Sequence, residues 1–241
     1  MRNEFFEAFI DEFGDATISR YASVEEIKKW EEKLPELLLM YWHDEGWSSY
    51  YNELFTIVNP ADYEDVVDEW LEDTYLEDID VFHAIAINGF GNLYLCGERT
   101  GQSVVISPMF NTIFIQKKEI KREHTNKSRN ISIQTLFGFA EVEGHNKKGL
   151  FEKAVKKFGP LGDYEIFGFE PALILGGELD IKYIQKVDAR IHLSILAQLA
   201  DPEIDEITIL FFRSGVMRDN YFDSLIKELG EATTSPKMEQ L

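Results

Sequence analysis

Apolar positions recur at three- and four-residue spacing through most of the first 75 residues, then switch to alternation, then return to the helical period. In residues 3–13, Phe5, Phe6, Phe9, Ile10 and Phe13 gather on one side of a short amphipathic helix. Ser23 with Glu26 three residues on is a capping-box pattern, opening a second helix through Ile27 and Trp30 to about Lys33. Pro35 starts a third, PELLLMYWHDEG, which Gly46 ends. LFTIV (54–58) is a short strand that delivers the chain to a helix after Pro60, where Tyr63, Val67, Trp70, Leu71 and Thr74 form the apolar stripe. The runs 82–87, 92–96, 102–107 and 111–116 read as four strands of an antiparallel meander. Their breaks NGFGN, GERTG and SPMF supply the turn chemistry, and the preceding helices cover one face.

Residues 116–130 are polar, mixed in charge and lack an apolar period beyond Ile120, which marks a boundary between units at 1–118 and 128–230. The second unit opens with a helix over ISIQTLFGFA, then a helix with Leu150, Phe151, Ala154, Val155 and Phe158 inward that Gly159-Pro160 stops. A Gly- and Pro-punctuated apolar segment follows. Residues 180–200 carry the most regular helical stripe of the chain: Ile184, Val187, Ile191, Ile195 and Leu199. A strand over 206–212, a helix over 220–229 and a polar tail complete the expected elements. The class is α+β: N-terminal helices packed on an antiparallel meander, followed by a smaller, mostly helical α+β domain.

Charge changes this picture. The 241 residues carry a formal net charge of −20, with 24 acidic against 6 basic residues in 1–115 and 20 against 18 in 116–241. Between positions 62 and 80 stand Asp62, Glu64, Asp65, Asp68, Glu69, Glu72, Asp73, Glu77, Asp78 and Asp80, with no Lys or Arg among them. Acids in the first turn suit the helix dipole, but like charges at i,i+3 and i,i+4 repel. Two readings stay open: a solvated face, or an acidic surface held rigid for a basic partner, with Asp65, Asp68, Glu69, Glu72 and Asp73 as its contacts. The negative field repels nucleic acid and anionic membrane and steers cationic proteins into encounter. The aromatics around HDEGWSSYY, Trp47 among them, are either packing residues or a binding anchor.

No catalytic or metal-binding constellation stands out. The histidines at 43, 83, 124, 145 and 192 do not pair at i,i+3 or i,i+4, and none adjoins the single cysteine, Cys96. Gly89-Phe90-Gly91 fails the dinucleotide pattern because Tyr94 holds the third glycine's place, and Gly97–Gly101 lacks the P-loop lysine. Gly176-Gly177 is followed by Glu178, which disfavours phosphate. No metal and no cofactor are therefore expected. One cysteine fits a reducing cytoplasm, and the N-terminus lacks the pattern of a signal peptide, so a cytoplasmic location is expected. A competing reading places a small ligand, or an unassigned enzyme activity, in a pocket of the second unit lined by Tyr164, Glu170 and His192.

The run LPELLLMYWHDEGW…LFTIVNPADYEDVVDEWL…FHAIAINGFGNLYLCGERTG resembles the GAD-like domain of bacterial proteins. The later run LFEKAVKKFGPLGDYEIFGFEPALILGGELDIKYIQKVDARIHLSILAQL is similar to the C-terminal domain of the type VI secretion DNase immunity family. The resemblance covers roughly residues 20–200, and its motifs are fold-bearing aromatics, prolines and glycines. It implies a non-enzymatic immunity protein that binds and neutralises a cognate antibacterial toxin, a basic nuclease being the expected partner, by stoichiometric inhibition.

Overall fold

Local chemistry sets the first three helices where their punctuation puts them. In the computed structural model, which describes residues 2–122 and 124–206, α1 spans Glu4–Phe13 and is capped by the Asn3 side chain, which accepts from the Phe6 amide. Helix α2 (Val24–Lys28) has the full Ser23–Glu26 capping box, and α3 (Glu36–Glu45) follows Pro35 and stops at Gly46, whose φ is 70°. Two short strands, β1 (Ser49–Tyr50) and β2 (Phe55–Ile57), lead into a 3-10 turn at Pro60–Asp62 and helix α4 (Glu64–Leu71).

The meander follows as β3 (Phe82–Asn88), β4 (Leu93–Gly97), β5 (Gly101–Ser107) and β6 (Thr112–Ile115), each antiparallel to the last. Then come α5 (Lys117–Ile120), α6 (Asn126–Gly138), α7 (Val142–Asn146), α8 (Leu150–Phe158), β7 (Glu165–Phe169), β8 (Ile184–Asp188), α9 (Ala189–Ala197) and β9 (Glu203–Glu206). The main sheet has seven strands in the order β1-β2-β3-β4-β5-β6-β9, and β7 and β8 form a separate antiparallel pair. The chain is α+β, with helices first, a mostly antiparallel sheet next and a smaller helical region after it.

Every residue of β3 to β6 is buried, so the sheet is covered on both faces rather than one. One face carries Phe55, Ile85, Tyr94, Cys96, Val105 and Phe114 and packs on Phe6 and Phe9 of α1, Leu38 and Trp42 of α3, and Ile133 and Phe137 of α6. The other carries Ala84, Ile87, Leu93, Leu95, Ile106 and Ile113 and packs on Val67 and Trp70 of α4 and Leu193 and Leu196 of α9. A bulge between Ala84 and Ala86 shifts the alternation, which is how Ala84 and Ile87 share a face. Strands this thoroughly buried need cover from two helical layers, and the early helices supply only part of it.

That requirement corrects the expected separation at residues 117–130. Helix α6, which begins within the polar stretch and runs past it, covers the same sheet face as α1, with Phe137 against Phe6 at 5.2 Å between ring centroids. Strand β9 adds itself parallel to β6, Thr112 facing Glu203 and Ile115 facing Glu206. Units 1–118 and 128–230 are therefore distinct as sequence but share one sheet and one core over the described residues.

The regular stripe over 180–200 is a second correction. Ile184 and Val187 lie in β8, pairing with Phe169 and Ile166, and only 189–197 is α-helical. Asp188 makes the break: its side chain accepts from the amides of Arg190 and Ile191 as an N-cap. The strand expected over 206–212 is seen only at its first residue, as the end of β9. The rest of it, the 220–229 helix and the tail lie outside the described residues.

Candidate partner-binding surface

Helix α4 owes its position to its apolar side. Asn59 accepts from the Ala61 amide, Pro60 fixes the first turn, and Val66, Val67, Trp70 and Leu71 are buried against the sheet. The Trp70 indole N–H donates to the Leu193 carbonyl at 3.0 Å, tying α4 to α9. The helix ends sooner than its stripe implies: Glu72 is extended, Asp73 has φ 61°, and Thr74 turns back to donate its hydroxyl to the Leu71 carbonyl. Thr74 therefore leaves the stripe, and Glu72 and Asp73 extend the acidic surface past the helix rather than along it.

Nine of the ten carboxylates divide by partner, and the tenth, Asp78, is exposed. Asp80 is a clamp: its oxygens accept from the amides of Val81, Arg99 and Thr100 and from the Thr100 hydroxyl. Asp62 accepts from the Tyr164 hydroxyl at 3.0 Å, and Glu77 accepts from the Asp73 amide. Glu64 lies 3.9 Å from the His83 ring. Asp65, Asp68, Glu72 and Asp73 are exposed, and among the described residues none of them, nor Glu69, is ion-paired to a Lys or Arg. Glu69 is half-buried, with one carboxylate oxygen enclosed and without a hydrogen bond. Three of the five candidate contacts, Asp65, Asp68 and Glu69, thus stand un-neutralised on a helix that a buried indole anchors, and Glu72 and Asp73 follow directly after it.

Trp47 is a packing residue: 5% exposed, its ring edge-on to Trp42 at 5.9 Å. The reading of it as an exposed anchor gives way, because the aromatics of this turn are drawn into the core under α3. The other proposed pocket is not assembled either. Tyr164 lines a cleft of about 30 Å³ with Arg20, Trp47, Glu53 and Asp62. His192 lines a different one of about 10 Å³ with Phe90, Phe169 and Leu173, and Glu170 lines neither. Cavities of this size hold a water or two rather than a substrate. Burial lowers the His192 pKa, opposed by the nearby Glu170 carboxylate, so the ring stays neutral beside Gly168.

Tyr164 serves a different purpose, one that no local pattern of residues announces. Its hydroxyl donates to Asp62 and accepts from Arg20, and the guanidinium groups of Arg20 and Arg190 lie 4.9 and 4.1 Å from its ring centroid. Arg20 also pairs with Asp163, and Arg190 with Asp188. Burial, then the hydrogen bond to Asp62, raises the Tyr164 pKa, so the phenol remains a donor. This hub joins the start of α4, the start of α9 and the early loop at Arg20. Among the described residues, no three His, Cys, Asp or Glu side chains gather as a metal site requires, and no helix is long and apolar enough to cross a membrane.

Comparison with known proteins agrees with this architecture. No curated protein matches the chain. Among solved structures, the crystal structure of Atu4351 from Agrobacterium tumefaciens is similar, at 20% identity over 84% of this chain and 93% of that one, with a TM-score of 0.73, which shows a shared fold. Residues 4–110 match the family model of the GAD-like domain, and residues 133–200 match that of the T6SS immunity protein Tdi1, C-terminal. The chain therefore carries a GAD-like domain followed by the C-terminal domain of a type VI secretion immunity protein.

Proposed function

We propose that this protein neutralises a cognate antibacterial toxin in the cytoplasm by stoichiometric binding, and that the acidic surface of α4 faces a basic, nucleic-acid-gripping surface of that toxin. The observation that carries the reading is the set of five carboxylates left without cationic partners among the described residues, three on an anchored helix and two directly after it. Such a surface costs stability through like-charge repulsion, and a partner rich in Lys and Arg offsets that cost. Fixed carboxylates compete with nucleic-acid phosphates for the same cations, so inhibition needs no chemistry from this chain. The small size of both clefts argues against a substrate pocket at Tyr164 or His192.

The test begins with a search of the genes flanking this one for a toxin, which is then purified as an inactive variant. A triple reversal, Asp65→Lys, Asp68→Lys and Glu72→Lys, should leave circular dichroism unchanged. It should weaken binding by several kcal/mol if the charges are desolvated at the contact, and it should remove protection of cells. Association of the unaltered chain should slow steeply with salt, because exposed charges are screened over about 8 Å at physiological ionic strength. Full protection by the reversed variant, with unchanged salt dependence, rejects the acidic surface as the contact.

A further inference from the structure

The apolar stripe that runs furthest along the second half of the chain is only half used inside the fold. In α9 the buried positions are Ala189, Leu193 and Leu196, which pack under α4 on the sheet. Ile191 and Ile195 point away from them and are 64% and 53% exposed, and Leu199, one further turn along, is 39% exposed. Spacing of four places Ile191 and Ile195 on one line of the helix, and Leu199 follows in the turn past its end, so the three are neighbours rather than scattered exposed residues. Ser194 and Gln198 flank the ridge, and the Arg190 guanidinium is held by Asp188, so the strip carries no unpaired formal charge. A solvated helix face gains nothing from isoleucine, which has a lower helix propensity than glutamine or lysine.

The position of the ridge indicates what covers it. Helices α9 and α4 lie on the same face of the sheet and touch through Trp70 and Leu193, so their outward faces are neighbours. One is apolar and uncharged; the other presents Asp65, Asp68 and Glu69 without cationic partners. We infer that the two faces form a single docking surface for a protein partner that presents apolar side chains flanked by Lys and Arg, with Ile191, Ile195 and Leu199 as its apolar centre. A second copy of this chain is a poor occupant, because isologous pairing would bring two acidic α4 faces together. The net charge of −20 likewise disfavours an anionic membrane surface. The inference rests on the immunity reading and adds to it where affinity arises: desolvated apolar contacts slow dissociation, while the acidic face speeds association.

The experiment has two arms, both on the full chain. In the first, Ile191→Gln with Ile195→Gln should fold with an unchanged or higher Tm, because glutamine is the better helix former. It should bind the inactive toxin at least about tenfold more weakly, mostly through faster dissociation, with the salt dependence of association unchanged. In the second, Ile195→Cys is treated with a maleimide. Cys96 is fully buried and its thiol pKa is pushed up to about 12, so the new thiol alone reacts. Labelling should proceed at a free-peptide rate and slow when the toxin is added. Slow labelling of the free chain means that its own residues 207–241 or a second copy already cover the ridge, and overturns the inference. So does wild-type affinity of the double glutamine variant, or labelling that the bound toxin leaves unaltered. Failure of the unaltered chain to bind the toxin rejects the immunity reading itself, a separate result.

Discussion

Among single residues, carboxylates that look alike in the sequence do opposite work. Asp80 ends the acidic run, yet it is 8% exposed and fills its oxygens with three amides and a hydroxyl, closing the turn between β4 and β5. Asp80→Ala should lower unfolding free energy by about 3 kcal/mol or more, since hydrogen bonds to a buried charge are each worth about 1.5–3 kcal/mol. Asp65→Ala should change it by less than about 0.5 kcal/mol, as an exposed side chain without partners. Urea denaturation of the two variants measures the contrast. His145 offers a second test. It is 1% exposed, ringed by Phe13, Phe55 and Tyr94, and burial drives its pKa down to about 3. Below pH 6.5 the unfolded chain takes up a proton that the folded chain refuses. This contribution to stability is therefore complete above pH 6.5 and lost as pH falls toward 3, at about 1.4 kcal/mol per unit of pKa difference. Comparing wild type with His145→Gln at pH 7 and pH 4.5 should show a flatter pH dependence in the variant.

Among elements, the docking of the two halves runs through the turn after β3. A β-carbon on Gly89 would sit 2.2 Å from Cε2 of Phe151 on α8, and the Gly89 carbonyl accepts from the Phe167 amide of β7. Gly89→Ala should cost about 1–3 kcal/mol by overpacking, read as a lower Tm, and the smaller partner in Gly89→Ala with Phe151→Leu should recover part of it. The meander is legible because alternation and Asn/Gly turns state it directly, the helix starts because Ser23 and Pro35 do, and the end of α3 because Gly46 does. The region over 180–200 was misread for a physical reason: a strand joined at once to a helix satisfies three- and four-residue spacing across the junction. Asp188 was the cue, being a cap residue inside an otherwise regular stripe. Helix α6 was found but its role was not, since its buried set of Ser132, Ile133, Leu136 and Phe137 gives little hint that it roofs a sheet built from the first half. The acidic residues of 62–80 could be counted from the sequence. The Arg20–Tyr164–Arg190 hub could not, because its members are brought together only by the tertiary fold.

At the scale of the whole molecule, the shared core makes one cooperative unit out of two sequence families. Thermal and urea unfolding of the full chain should give a single transition by fluorescence and circular dichroism together. A fragment of residues 1–122 lacks α6 and α9, so both sheet faces lose part of their cover; it should bind a hydrophobic dye and show no sharp transition. Two well-separated transitions matching isolated halves would contradict this. The parallel pairing of β9 with β6 has a further consequence, in time rather than in energy. Asn111 and Asp201, joined by a hydrogen bond, stand 90 positions apart, and a ribosome adding about 5–20 residues per second needs roughly 5–20 seconds to cover that distance. Throughout that interval the edge of β6, with the apolar sequence TIFI, has no neighbour. The nascent chain is thus most exposed to mispairing late in its own synthesis, and the sheet becomes complete only after most of the chain has left the ribosome.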